Sequence, residues 1–170
     1  MRTQSSCGPD ELGAILAPFG VSQENVDKAF GIKNISKFAD LMDTPAAHYQ
    51  ALKDLGIPFR SKGLSPQDVI CGKCQPYRTA ALVHAKDDPH TILPESWLQQ
   101  HWVIYAGQKD GKILLLVGDG EIPKAVSPEA FSASVVRGGP TNTIYEVGVG
   151  DEHVIKPISW FAKLMAWIFG

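Results

Sequence analysis

The spacing of apolar residues changes partway along this chain, and that change limits the folds open to it more than any other feature. Up to Pro58 the apolar positions recur at helical intervals. Segment 9–17 begins with Pro9, which a first helical turn tolerates, and stops before Pro18. Ser22 opens a second helix with Val26, Ala29 and Phe30 on its apolar side. A third covers 34–42 through Ile35, Phe38, Leu41 and Met42. Thr44 caps a fourth over 45–55, ended by Gly56 and Pro58. From Thr79 onward the pattern is short apolar runs, at 79–84, 101–106, 112–117, 123–126 and 143–149. Gln108-Lys109-Asp110-Gly111 reads as a hairpin turn, and Ser127-Pro128-Glu129-Ala130-Phe131 as a capped helical turn. Helices followed by an antiparallel sheet predict an α+β domain, with the N-terminal helices packed on the C-terminal strands. The chain has 170 residues, enough for one domain with a sizeable core. That domain is expected over 1–150, with 151–170 as an apolar helix or tail.

The charge balance narrows the partners. A net charge of -2 and the lack of any basic run that could track phosphates give no case for nucleic acid. The three cysteines make an odd set, which argues against a disulfide-stapled scaffold and for a reducing compartment with a free thiol. Met1-Arg2-Thr3-Gln4-Ser5-Ser6 has no apolar run behind it, so no secretory signal is expected there. No stretch reaches the roughly 18 uninterrupted apolar residues that span a bilayer.

Cys7 lies at the mouth of the first expected helix. The partial positive charge and unpaired N–H groups there stabilise a thiolate. Ser5, Ser6 and Gly8 are small, and Gly8 lets a substrate backbone come close. The bland alternative is a small buried hydrophobe. His101 heads the strand His101-Trp102-Val103-Ile104-Tyr105, where a general base could face a cleft; a satisfied core or surface histidine is the alternative. A base needs an acceptor on its other ring nitrogen. Asp119, in Val117-Gly118-Asp119-Gly120 after the partner strand of the hairpin, suits that need, and is otherwise a turn residue between glycines. The backbone N–H of Cys7 and the side-chain amide of Gln4 could donate to an oxyanion.

The order Gln-x-x-Cys-Gly-Pro, helix, His-Trp-Val-Ile-Tyr-Ala-Gly, strand, Gly-Asp-Gly resembles the papain-like cysteine peptidases. Within them it is most similar to the double-glycine leader peptidases that form the N-terminal domain of bacteriocin exporters. The Ser-Pro-Glu-Ala-Phe turn belongs to the same pattern, and the resemblance covers roughly 1–140. It departs from the family in three places: the oxyanion glutamine there lies further from the cysteine than Gln4 does, Gly120 stands where proline usually follows the aspartate, and extra residues precede His101. The resemblance implies a papain-like fold and a bacterial cysteine hydrolase. Cys7 would be its nucleophile, His101 its base and Asp119 the orienting acid, acting on a peptide or protein with no cofactor and no metal. The departures leave room for a glutamine deamidase or transglutaminase-like effector toxin. A non-catalytic peptide-binding domain on the same fold is the reading from another class.

Two features stand outside this scheme. Cys71-Gly-Lys-Cys74 has the spacing of a redox or zinc pair, with His84 and His90 as nominal further ligands, or is structural. Segment 157–170 is apolar on nearly every face, which suits a docked helix, a membrane-surface anchor or a partner contact. The resulting expectation is synthesis in a bacterial cytoplasm, with export by a dedicated secretion system or membrane association as the alternatives. The polar, proline-containing segment 85–100 before His101 is either a cleft wall or plain surface.

Overall fold

The computed structural model describes residues 7–31, 44–84, 92, 100–117, 122–137 and 142–149, Cys7 by its backbone. The helices among them start where short polar side chains replace missing backbone partners. α1 (Cys7–Leu16) runs into a 3₁₀ turn, Ala17–Phe19, that carries the chain through Pro18. α2 (Gln23–Ala29) is capped by Ser22, whose hydroxyl accepts from Asn25 N at 3.3 Å. α3 (Pro45–Asp54) is capped by Thr44, which accepts from Ala47 N at 3.3 Å. After the two-residue strand β1 (Phe59–Arg60) comes α4 (Pro66–Ile70), where the Asp68 carboxylate accepts from Ser65 N at 3.0 Å. Then follow β2 (Thr79–Val83), β3 (His101–Lys109), β4 (Lys112–Val117), β5 (Lys124–Val126), α5 (Pro128–Ser134) and β6 (Ile144–Val147). Ser127 caps α5 by accepting from Ala130 N at 3.1 Å.

The six strands form one antiparallel sheet in the order β1-β6-β2-β3-β4-β5. β3 and β4 turn at Asp110-Gly111, both with positive φ, as a tight two-residue hairpin requires. Ala106 bulges out of the ladder, since Tyr105 pairs with Leu115 and Gly107 with Leu114.

Both faces of the sheet are covered. Alternate residues of β3 enter two separate cores. Trp102 and Ile104 join Leu12, Ile15, Leu16, Val26 and Leu52, so α1, α2 and α3 lie on one face. Val103 and Tyr105 join Val69, Ile113, Leu115 and Phe131, so α4 and α5 lie on the other. This explains why β3 is buried from His101 through Gly107 rather than alternating. The helix expected over 34–42 and the tail over 151–170 lie outside the described residues. β1 and α4 are additions to the elements expected from sequence.

Candidate functional site

α1 points its first turn into the protein. Gly8, Pro9 and Glu11 are buried there, and Leu12, Ile15 and Leu16 fix the helix against the sheet. α2 braces the same end, with Gln23 Nε2 donating to Pro9 O at 3.0 Å and to Asp27 Oδ1 at 2.9 Å. Gly13 is the close-approach residue of this contact, because a Cβ there would stand 1.9 Å from Gln23 Oε1. Cys7 is the first residue of α1 rather than a residue ahead of it.

His101 is the first residue of β3 and pairs with Val83 of β2. Its ring is 7% exposed. Nε2 lies 3.6 Å from Glu11 Oε1, in the second turn of α1. The helix that Cys7 opens and the strand that His101 opens therefore meet at one end of the sheet. Burial pulls the His101 imidazole down to about 3, because a charged ring loses its hydration there. Neutral imidazole is the resting form that this environment favours.

A second buried polar pair lies within reach of the Glu11 charge. His48, from α3, has Nδ1 3.0 Å from the Tyr145 hydroxyl on β6, and its ring lies 4.3 Å from that of Trp102. Burial pulls His48 down to about 3 as well. The Tyr145 hydroxyl is pushed well up, first by burial, then by the charges of Tyr49 and Glu11. Glu11 was not singled out from the sequence. An acid near a helix start reads there as a solvated partner of the helix dipole, and nothing local shows that it turns inward.

Gln4, Asp119 and His90 lie outside the described residues. The hairpin does run toward Asp119: Val103 of β3 pairs with Val117 of β4. Of segment 85–100, Ile92 is buried in the core with Val103, and its carbonyl accepts from Lys124 Nζ at 2.5 Å. An open cavity of about 460 Å³ lies beyond the end of β2, lined by His84, Glu129, Ser132, Ala133, Val135 and Arg137.

Cys71 and Cys74 are both free thiols, with Cys71 exposed and Cys74 buried. Burial and then the Glu146 carboxylate push the Cys74 thiol up to about 11, the reverse of what a reactive thiol needs. No three His, Cys, Asp or Glu side chains among the described residues form a group suited to a metal ion. No helix among them is long and apolar enough to cross a membrane.

No family model and no curated protein matches the chain. Its fold is similar to the solved peptidase domain of Streptococcus ComA, a bifunctional ABC transporter involved in a quorum sensing pathway. The TM-score is 0.56 and the identity 15%, over 85% of this chain and 91% of that one. At that identity the likeness is one of fold. It bears out the expected α+β, papain-like layout and the resemblance in fold to exporter peptidase domains.

Proposed function

We propose that this chain is a cysteine hydrolase of the peptidase or amidase type, with Cys7 as nucleophile, His101 as base and Asp119 as the orienting acid. The observation that carries the reading is the meeting of α1 and β3, where Glu11 Oε1 comes within 3.6 Å of His101 Nε2. It brings a buried histidine to the helix that the cysteine opens, in a fold shared with a peptidase domain. The hairpin register supports Asp119, since the two-residue step from Val103 back to His101 equals the step from Val117 on to Asp119.

In this mechanism His101 takes the thiol proton and the Cys7 sulfur attacks an amide carbonyl, forming a C–S bond. The oxyanion accepts from the Cys7 N–H and the Gln4 amide. His101 returns the proton to the leaving nitrogen as the C–N bond breaks. It then deprotonates water, which attacks the thioester and frees the acid and the thiol. Resemblance to the leader peptidases makes a peptide carrying a double-glycine motif the substrate class to try first.

Iodoacetamide labelling read site by site by mass spectrometry tests the pair. At pH 6 Cys7 is expected to label faster than the exposed Cys71, and His101→Ala to slow that labelling about a hundredfold by removing the base that takes the thiol proton. Labelling of Cys7 that is indifferent to His101→Ala overturns the reading. Ammonia release without chain cleavage from a glutamine-containing double-glycine peptide would assign the enzyme as a deamidase instead.

A further inference from the structure

We propose that Glu11 is a positioning residue for His101: its carboxylate holds the imidazole beside Cys7 and balances the positive charge the ring takes up when it removes the thiol proton. This rests on the hydrolase reading above and goes beyond it, because that reading assigns the acid role to Asp119 alone.

Three observations lead here. Glu11 is 5% exposed, and a carboxylate taken out of water needs compensation. Its Oε1 stands 3.6 Å from Nε2 of a ring that is itself buried. It also lies four residues after Cys7 in α1, so the two positions share one helix face a turn apart. The helix cannot easily turn Glu11 away, since Leu12, Ile15 and Leu16 are buried in the core beneath it.

The contact also answers a chemical difficulty. Burial is what pulls His101 down to about 3, and a ring so poor in hydration depends on nearby negative charge once it takes up a proton. A negative charge alongside favours the imidazolium and works against that penalty. Among the described residues, the Glu11 charge also acts on the Tyr145 hydroxyl of β6, which is bonded to His48 Nδ1 of α3 at 3.0 Å. Asp119, after β4, is the second acid the mechanism invokes.

The test is Glu11→Gln, which keeps the shape and removes the charge, with Glu11→Asp as the conservative rescue. Two readouts are used: the pH profile of Cys7 alkylation by iodoacetamide, and the ¹⁵N resonances of the His101 ring. In Glu11→Gln the alkylation profile is expected to move up by about one pH unit, a roughly tenfold loss of rate at pH 6. The His101 Nε2 resonance should shift with it, while Glu11→Asp recovers part of both. If Glu11→Gln does not fold, a partial shift of both readouts in Glu11→Asp supports the proposal. An alkylation profile and His101 resonances that match the wild type in the variants that fold overturn it. If instead His101→Ala leaves Cys7 alkylation unchanged, the hydrolase reading fails, and the ring resonances still decide whether Glu11 holds His101.

Discussion

Glu146 on β6 and Glu11 on α1 both carry their carboxylates into the interior, at 0% and 5% exposure, yet their partners differ in kind. Glu146 accepts from Arg60 Nε at 2.7 Å and from Gln75 N at 2.7 Å, and its Oε2 also lies 2.5 Å from Arg60 Nη2. A guanidinium is a fixed cation, unlike an imidazole. This pair clamps β1 to β6 and holds the turn that carries Cys74. Glu11 faces an imidazole that burial keeps neutral at rest. That partner is charged only on demand. A buried acid against a fixed cation locks a fold, whereas one against a titratable ring can balance the charge that ring takes up.

The largest expected effect breaks this comparison by acidification. His48 and His101 both have folded values of about 3, below their ordinary 6.5. Between those limits the unfolded chain binds more protons than the folded one, so the stabilisation is complete above 6.5 and is lost as pH falls toward 3. From pH 7 to pH 5 each histidine should cost about 2 kcal/mol. Urea unfolding at the two pH values measures the loss, and His48→Phe, which keeps a ring against Trp102, should remove about half of it. A stability that is flat between pH 7 and 5 would deny that either ring is buried neutral.

Next in size is Glu146→Ala, which strands a partly buried guanidinium and an N–H. It should cost about 3 kcal/mol in urea unfolding at pH 7 while leaving the pH 6 alkylation of Cys7 unchanged. A large change in Cys7 reactivity would erase the distinction between the two glutamates. The smallest effect is Arg60→Lys, which exchanges a two-pronged contact for a point charge. Here about 1 kcal/mol is expected, with no change in the pH dependence of stability. A loss as large as that of Glu146→Ala would mean that guanidinium geometry, rather than charge, makes the lock.

Much of the fold could be read from local chemistry. Ser22, Thr44 and Ser127 cap the helices they were expected to cap. Asp110-Gly111 makes the expected turn, because its two residues take the left-handed backbone that a two-residue hairpin needs. α4 was missed although its signal is present, with Ser65, Pro66 and Asp68 forming a capping box. β1 has no such signal. Two residues cannot show a period, and Phe59 and Arg60 are a strand only because Val147 and Glu146 pair with them. That Cys7 and His101 serve one site is what the family resemblance implies, and α1 does pack against β3. What the order of residues could not show is which acid the histidine meets.

The sequence alone therefore determined the helix-then-strand order, the capped starts, the hairpin and the residue types able to carry out thiol chemistry. All of these depend on neighbours within a few positions of one another. Tertiary structure alone decided that Glu11 turns inward, that His48 and Tyr145 bond beneath Trp102, and that Arg60 clamps Glu146. The partners in these contacts stand 90, 97 and 86 residues apart. Charge and hydrogen-bonding character belong to the residue, but burial and the partner come only from packing distant segments together, and those set whether a carboxylate meets a fixed cation or a titratable ring.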